Sequence, residues 1–296
     1  MRQQYKDIRF KSDTLDLINQ VNEIVDDYES QNLMLTSRQL YYRLVALNVI
    51  ENTEKSYKRI CNMINDGKLA GLIDWDMFED RTRSFKAYTT YDNPADVLND
   101  AAKNYWVDFW DSQPCSVFAI VEKDALFGVL QAACLGKGVP LLAARGYPSS
   151  TVLREFIENH AAPARHERIE ILHFGDHDPS GIDMTRDLFD RIQMFAEPYN
   201  MEIHIHRLAL NMDQISELKP PPNPAKMTDC RYEAYVRRFG KKSWELDAVE
   251  PRQLISIAEN AIDSFIDKEA WQRTEKQFHA DRSEIIKFAN KFRSRA

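Results

Sequence analysis

Hydrophobic positions in the first quarter of the chain recur every three or four residues, which is the period of a helix. The pattern predicts a helix over residues 12–30 and a second helix that begins after Thr36, a typical N-cap residue. A third helix is predicted over residues 53–65, with its end near Gly67. Short apolar pieces interleaved with acids follow over residues 72–78. Three helices and a strand-like segment indicate a winged helix-turn-helix, an architecture that often binds DNA.

After residue 114 the pattern changes to compact apolar runs, rich in β-forming residues, that alternate with helical patterns. The strand-like runs are residues 116–121, 139–143, 169–174 and 201–205, and the helical patterns between them are residues 125–135, 150–159 and 181–195. This alternation predicts βαβ units and a mainly parallel, Rossmann-like sheet. The tail is predicted to be helical, with Leu254, Ala258 and Ile262 on one face.

The expected fold class is therefore α/β, in three parts along the chain. Residues 1–30 form an N-terminal helical extension, residues 31–110 the winged-helix domain, and residues 111–296 the sheet domain with its C-terminal helices. The proline-rich run over residues 219–224 predicts an extended loop.

The composition is typical of a folded intracellular protein. Hydrophobic residues make up 44% of the 296-residue chain, which is enough for packed cores. The apolar runs are too short to cross a bilayer, and the first residues lack the apolar stretch of a signal peptide. The four cysteines stand far apart, so neither a zinc site nor a disulfide framework is expected. We expect a location in the cytoplasm or nucleoid and no membrane partner.

The net charge of −7, taken alone, argues against a protein that coats DNA by charge. Basic residues nevertheless gather locally. The group that we predict to contact DNA is Lys55, Lys58, Arg59 and Lys68. Two further groups are Arg81, Arg83 and Lys86, and Arg231, Arg237, Arg238, Lys241 and Lys242. The alternative interpretation of each group is a solvated face.

Carboxylates follow two of the predicted strands. Glu122 comes directly after the first strand, and Asp176 and Asp178 follow a later one. Because function in parallel sheets collects at the carboxyl ends of strands, we expect these three acids to meet. Converging carboxylates repel each other unless a cation neutralises them, and oxygen ligands favour Mg²⁺ or Mn²⁺. The alternative is that Asp176 and Asp178 cap the helix that follows.

This arrangement resembles a Toprim domain, the metal-binding fold of topoisomerases, primases and some nucleases, in which a glutamate follows the first strand and an Asp-x-Asp follows a later one. Three segments narrow the resemblance to the A subunit of topoisomerase VI and its meiotic double-strand-break relatives. Residues 121–127, Val-Glu-Lys-Asp-Ala-Leu-Phe, are similar to the family's Val-Glu-Lys-x-x-x-Phe. Residues 145–148, Arg-Gly-Tyr-Pro, are similar to its Gly-Tyr-Pro segment. Residues 175–183, Gly-Asp-His-Asp-Pro-Ser-Gly-Ile-Asp, are similar to its Asp-x-Asp-Pro-x-Gly-Ile-Asp.

A fourth segment carries the tyrosine of this family. Residues 36–42, Thr-Ser-Arg-Gln-Leu-Tyr-Tyr, resemble its Ser-x-Arg-acid-(Ile/Leu)-(Tyr/Phe)-Tyr motif, whose catalytic tyrosine maps onto Tyr42; Gln39 replaces the usual acid. Tyr41 shares the spacing of the apolar face and is expected in the core, whereas Tyr42, offset by about 100°, is expected to be more exposed. Arg38 lies one turn earlier, where a cation can lower the phenol pKa or hold a phosphate. The alternative is that the Tyr-Tyr pair serves packing.

The resemblance implies a DNA-cleaving transesterase. The Tyr42 oxygen attacks a backbone phosphate, displaces the 3′ hydroxyl and leaves a 5′-phosphotyrosyl link. Glu122, Asp176 and Asp178 hold the metal, and Glu122 also moves the proton of the leaving hydroxyl. Arg38 neutralises the phosphate. Lys123 is expected to reach a phosphate or to pair with a carboxylate.

Partners are implied in the same way. The family acts on double-stranded DNA as a homodimer, in which the tyrosine of one protomer meets the metal site of its partner. The sequence contains no ATP-binding pattern, and a complete topoisomerase VI uses a separate GHKL-type ATPase subunit. The chain therefore corresponds to the DNA-cleaving subunit of such an enzyme or to the short stand-alone type known as Mini-A.

Three alternatives use the same residues differently. A hydrolytic Toprim nuclease would use the metal site with water as the nucleophile, which makes Tyr42 dispensable. A non-catalytic DNA-binding protein would predict a broken acidic triad, and this triad is intact. A primase would need basic nucleotide-binding elements that the sequence does not reveal.

Overall fold

A computed structural model of the chain describes residues 2–31, 33–78, 88–164 and 166–293. The helices of this part are α1 Ser12–Glu29, α2 Ser37–Ala46, α3 Glu54–Leu69, α4 Pro94–Asn104, α5 Phe127–Leu135, α6 Ser150–Phe156, α7 Pro179–Ala196, α8 Met212–Leu218, α9 Tyr232–Phe239, α10 Pro251–Asp263 and α11 Lys268–Arg293. The strands are β1 Ser116–Val121, β2 Leu141–Ala143, β3 Arg168–Phe174, β4 Glu202–Ala209, β5 Asn223–Pro224 and β6 Lys242–Ser243. None of the described helices is long and apolar enough to cross a membrane.

The fold is mixed α/β around a parallel sheet. Four strands lie in the order β2-β1-β3-β4, and every neighbouring pair is parallel. All six residues of β1 are buried, because helices cover both faces of the sheet. Two-sided burial explains why the strands are continuous apolar runs in the sequence. The alternation of strands and helices predicted from that pattern is confirmed.

The three N-terminal helices share one hydrophobic core. Thr36 caps α2 and forms a capping box with Gln39, as its position before the apolar run predicts. The prediction that α3 ends near Gly67 is wrong, since the helix continues to Leu69. Gly67 is instead a point of close approach: a Cβ there would lie 2.7 Å from the Cδ1 atom of Ile73.

The segment after α3 forms isolated bridges rather than a regular strand within the described residues. Leu35 pairs with Phe78, and Gln4 pairs with Ala70. The basic group of Arg81, Arg83 and Lys86 lies outside the described part of the chain.

The C-terminal part returns the chain to the carboxyl edge of the sheet. The proline-rich run leads into β5, which pairs antiparallel with β6. Directly after β6, Trp244 pairs with His177 in an isolated antiparallel bridge. This bridge places residues 245–247 beside the loop that follows β3. Helix α10 then packs on α5, and α11 packs on α4.

Candidate functional site

Glu122 and Asp176 meet at the carboxyl edge of the sheet. Glu122 directly follows β1, and Asp176 lies two residues after β3. The two strands are parallel neighbours, so their ends lie side by side. The Glu122 Oε2 atom accepts a hydrogen bond from the Asp176 backbone N–H at 2.9 Å. The structure therefore brings these two predicted site residues together.

Asp178 is the N-cap of α7, which is the alternative role considered from the sequence. Its Oδ1 atom accepts hydrogen bonds from the Gly181 N–H at 2.6 Å and from the Ser180 hydroxyl at 2.9 Å. Among the described residues, no hydrogen bond or ion pair reaches Asp178 Oδ2 or Glu122 Oε1. Capping fixes one oxygen of Asp178 and leaves the second one available to a ligand.

Glycine makes this loop possible. A Cβ on Gly181 would lie 2.2 Å from the carbonyl oxygen of Asp176, which is closer than any side-chain atom can come. A Cβ on Gly175 would lie 3.1 Å from Glu122 Oε2. The glycines of the Gly-Asp-His-Asp-Pro-Ser-Gly segment thus allow the start of α7 to close against the acids.

Two further acids, Glu245 and Asp247, belong to the site and were not predicted from the sequence. The bridge between His177 and Trp244 carries their segment to Asp176, whose Oδ1 atom accepts a hydrogen bond from the Leu246 N–H at 2.7 Å. The side chain of Asp247 is fully buried. The available signal was Trp-Glu-Leu-Asp, two acids in alternation after an apolar residue, but nothing in the sequence connects it with Asp176.

Lys123 lies at the centre of these acids. Its ammonium group is 2.8 Å from Asp176 Oδ2 and 3.2 Å from Asp247 Oδ1, and it also donates to Glu245 Oε2. Of the two roles considered for Lys123, the structure shows the pairing with carboxylates. Its side chain is largely buried, so water screens its attraction to the three carboxylates only weakly.

Arg38 connects the tyrosine to this cluster. Its guanidinium group is 2.9 Å from Glu245 Oε2 and 2.7 Å from Asp247 Oδ2. The same group lies 5.7 Å from the centroid of the Tyr42 ring. Continuous contacts therefore run from Tyr42 through Arg38, the two new acids and Lys123 to Asp176.

The expectation that Tyr42 is exposed while Tyr41 is in the core is wrong, because both side chains are buried, with exposed fractions of 6% and 4%. The helical offset gives Tyr42 a different direction, but residues 246–248 pack against α2 on that side. Both phenols border a cavity of about 250 Å³. Its lining is Arg38, Tyr41, Tyr42, Asn52, Thr53, Glu54, Tyr57 and Asn223.

The pKa of Tyr42 is raised to about 12, chiefly by burial and then by the charges of Glu245 and Asp247. Arg38 and Lys123 act in the opposite direction and do not compensate. Arg38 lowers the phenol pKa as expected, but the net direction is upward. Tyr42 is therefore neutral at physiological pH and needs a proton acceptor before it can act as a nucleophile.

The acids at the sheet edge also have shifted pKa values. Burial, followed by repulsion from Asp178, raises the pKa of Glu122. Burial and the neighbouring carboxylates raise that of Asp176 well above its usual value, although Lys123 opposes the shift. Burial alone would raise the pKa of Glu245, yet Lys123 and Arg38 lower it. Negative charge is therefore favoured at Glu245, which contacts two cations, more than at Glu122 and Asp176.

Arg207 holds the loop between β3 and α7 in place through hydrogen bonds to its backbone. Its guanidinium group donates to the carbonyl oxygens of Gly175, Asp176 and Gly181 at 3.1, 2.6 and 2.9 Å. It also donates to the hydroxyl of Thr185 at 3.0 Å, which in turn contacts His173 Nδ1 at 2.9 Å. Arg207 is a positioning residue for the acidic loop that sequence reasoning missed.

The predicted DNA-contacting lysines and arginine occupy different settings. Lys55, Lys58 and Arg59 are exposed on α3, and Lys58 pairs with Glu54 at 2.7 Å. Lys68 is half-buried, with its ammonium group 4.1 Å from the centroid of the Phe78 ring. The first three form an exposed basic face, whereas Lys68 packs on an aromatic ring.

The donor set has the chemistry of a magnesium site, since every candidate ligand is a carboxylate oxygen. Within the described residues, no three His, Cys, Asp or Glu side chains are arranged so that they hold a metal ion as they stand. Both oxygens of Asp176 are engaged, one by Lys123 and the other by the Leu246 N–H. Glu122 and Asp178 keep one free oxygen each, so they fit a metal ion best.

Neither a scan of this chain against models of protein families nor a search of curated proteins finds a match.

Proposed function

We propose that this chain cleaves double-stranded DNA by transesterification, with Tyr42 as the nucleophile. The observation that supports the proposal most is the set of contacts that leads from Tyr42 through Arg38, Glu245, Asp247 and Lys123 to Asp176, which lies beside Glu122. A phenol, a cation next to it and a group of carboxylates are the parts that this reaction needs. They supply the nucleophile, the neutralisation of the phosphate and the ligands for a metal ion.

The residues have separate tasks in this reaction. The Tyr42 oxygen forms a bond to a backbone phosphorus, and the bond from phosphorus to the 3′ oxygen breaks. The phenol gives its proton to solvent water, and the 3′ oxygen takes up a proton and leaves as a hydroxyl. We assign the second transfer to Glu122, whose carboxyl group lies beside Asp176 at the end of β1. Arg38, which is half-exposed, neutralises the phosphate.

A divalent cation, Mg²⁺ or Mn²⁺, would be held by Glu122 and Asp178, with Asp176 beside them. Such an ion stabilises charge on the phosphate and on the leaving oxygen. The chain's own groups provide the remaining charge: Arg38 near the nucleophile and Arg207 beneath the loop.

We interpret α1–α3 and the segment that follows as a winged-helix unit, and the parallel sheet as a Toprim domain of the type found in the DNA-cleaving subunit of topoisomerase VI. This interpretation rests on the four sequence segments. With it we propose that the chain acts on DNA as a homodimer and is located in the cytoplasm or nucleoid. The larger members of that family also use a separate GHKL-type ATPase subunit, which is a further candidate partner. The exposed face of Lys55, Lys58 and Arg59 supports contact with the DNA backbone.

A hydrolytic nuclease is the second candidate, and one observation favours it. Tyr42 is buried and its pKa is raised to about 12, so a water molecule beside the metal ion would be a competing nucleophile. This candidate needs the acids and does not need the phenol.

The test is cleavage of supercoiled plasmid with Mg²⁺ or Mn²⁺, stopped with detergent and scored for protein attached to DNA 5′ ends. We expect attachment by wild type and by Tyr41→Phe, the matched control, and none by Tyr42→Phe or Asp178→Asn. Free ends that survive Tyr42→Phe would support the hydrolytic nuclease instead. Absence of any cleavage, with or without a candidate ATPase subunit, would contradict both.

Whether the site works within one chain is tested by mixing two inactive variants, Tyr42→Phe and Asp176→Ala. The contacts described above lie within one chain, whereas the resemblance implies that the tyrosine meets the metal site of the other protomer. If the protomers exchange groups, a mixed dimer has one intact pair of tyrosine and metal site, so it should nick one strand. If each chain uses its own tyrosine, the mixed dimer has no intact pair and should not cleave.

A further inference from the structure

The ammonium group of Lys123 lies at a point where three carboxylates converge. Asp176 comes from the loop after β3, and Glu245 and Asp247 come from the segment after β6. The distances to Asp176 Oδ2 and Asp247 Oδ1 are 2.8 and 3.2 Å, and Glu245 Oε2 is in direct contact. The ammonium group donates hydrogen bonds to Glu245 and Asp247 and forms an ion pair with Asp176, so all three acids contact it.

These acids need a cation in order to stay together. The side chain of Asp247 is fully buried, and those of Asp176 and Glu245 are 8% and 22% exposed. Water screens their mutual repulsion poorly at such burial, so an uncompensated group of three would be strongly unfavourable. Arg38 neutralises the outer side of Glu245 and Asp247, but it makes no contact with Asp176. Lys123 is the cation that all three share.

The opposite side of Asp176 differs. There, Glu122 and Asp178 each keep an oxygen that receives no hydrogen bond or ion pair from the described residues. Arg207 also lies near them, but its guanidinium group donates to backbone carbonyl oxygens of the loop and to the Thr185 hydroxyl. One side of the acidic site is neutralised by the protein itself, and the other side is left for an ion.

We propose that the Lys123 ammonium fills a second cation position, formed by Asp176, Glu245 and Asp247, and that its removal opens this position to Mg²⁺ or Mn²⁺. In sites with two metal ions, carboxylates gather both ions around one reaction centre. Here Asp176 contacts Glu122 through its N–H and Lys123 through its carboxylate. The chain thus combines one divalent ion with one built-in ammonium group.

The ammonium group is part of the chain, so it occupies this position whether or not a metal ion is bound. The backbone of Lys123 is held by β1, which ends just before Glu122, and its ammonium group is held by the three acids. The segment of Glu245 and Asp247, and through it Arg38 and Tyr42, stays in place when no metal ion is bound. A divalent ion in that position would instead make the alignment of Tyr42 depend on ion concentration.

The test counts Mn²⁺ ions per chain by electron paramagnetic resonance of the free ion during titration. The first position rests on the proposed function, but the second does not, because only the change in the count matters. We expect Lys123→Ala to bind one more Mn²⁺ per chain than wild type, and Lys123→Arg to bind the same number as wild type. In Lys123→Ala combined with Asp247→Asn, the additional ion should be lost or bound at least tenfold more weakly.

The outcomes separate the two proposals. An unchanged count in folded Lys123→Ala overturns the second cation position, whatever wild type binds. A wild-type count of zero with one ion in Lys123→Ala supports the second position and contradicts the metal site of Glu122 and Asp178. Circular dichroism covers the case in which Lys123→Ala is unfolded without ions. Refolding on addition of Mn²⁺, absent in the double variant, supports the proposal, and failure to refold while Lys123→Arg is folded overturns it.

Discussion

The helical region of α1–α3 and the sheet region of β1–β4 bury different kinds of side chain. Gln39 is the one polar residue that is buried among residues 12–78 as far as the structure describes them, and it is used in a capping box. The sheet region buries Glu170, His173, Asp176 and His177. The core of the helical region buries the phenol of Tyr42 and, among the described residues, no charged side chain, whereas the sheet region buries Glu170 and Asp176. The proposed chemistry needs both a phenol and charged groups.

The two regions are joined by the segment of Glu245 and Asp247. These acids reach Arg38 on one side and Lys123 on the other. Ala248, next to them, packs against the helical core. The joint is ionic at its centre and apolar at its margin, so substitutions in each region and at the joint should have different effects.

The largest effect is expected for Gly181→Ala in the sheet region. The new Cβ would lie 2.2 Å from the Asp176 carbonyl oxygen, which forces the loop away from α7. We expect a loss of about 3 kcal/mol or more in the free energy of unfolding, measured in urea. Gly136→Ala, at the C-terminal end of α5 with a φ of −61°, is the matched control and should be nearly neutral. Equal effects of the two substitutions would contradict the role of Gly181.

Asp247→Asn breaks the joint between the regions. It removes a fully buried carboxylate and leaves Arg38 and Lys123 without one of their partners. We expect a loss of about 3 kcal/mol in the free energy of unfolding. Glu54→Gln, in the exposed pair with Lys58, should have no measurable effect. A stability of Asp247→Asn equal to that of wild type would show that the joint is not ionic.

The buried His173 should make the stability of the sheet region depend on pH. The helical region of α1–α3 has no histidine. Burial, and then Arg207, lower the pKa of His173 to about 3. The folded state keeps the ring neutral while the unfolded chain takes up a proton below pH ~6.5, so stability falls as pH decreases. The loss is about 1.4 kcal/mol per pH unit between pH ~6 and ~4.

The measurement is urea unfolding at several pH values for wild type and His173→Gln. The raised pKa values of Glu122 and Asp176 act with the opposite sign, but both proteins contain these acids. The difference between the two slopes should therefore be close to one proton. Parallel slopes would mean that His173 is not buried in its neutral form.

The smallest effects are expected at the margin of the joint. Asn52 donates to Asn223 Oδ1 at 2.6 Å and connects the start of α3 with β5. Asn223→Ala should cost about 1 kcal/mol in urea unfolding. The exposed pair of Arg252 and Asp27 lies further out, and Arg252→Ala should change stability by less than about 0.5 kcal/mol. A larger effect of Arg252→Ala than of Asn223→Ala would reverse this order.

The sequence predicts best where local periodicity and burial agree. The run Ser116–Val121 is predicted to the residue, because a strand buried on both faces has no polar position to blur its ends. Gly67 shows the limit: a glycine near the end of a helix resembles a C-cap, but here it makes room for Ile73. Only tertiary packing distinguishes the two.

The site is divided in the same way. Glu122 and Asp176 are predictable because each follows its own strand and neighbouring strand ends meet. Glu245 and Asp247 are not, since they reach the site through one isolated bridge from a distant segment. The burial of Tyr42 could not be predicted for the same reason. Helical periodicity shows which face of α2 packs against α1 and α3, but not that residues 246–248 cover another face.

The central claim is that Tyr42 forms the covalent link to DNA. The most direct measurement is mass spectrometry of the protein after cleavage of plasmid with Mn²⁺, followed by digestion with nuclease and protease. The account predicts a nucleotide attached through its 5′ phosphate to the peptide that contains Tyr42, with Tyr41 unmodified. Cleaved DNA with no modified tyrosine, or with the nucleotide on another residue, would contradict it.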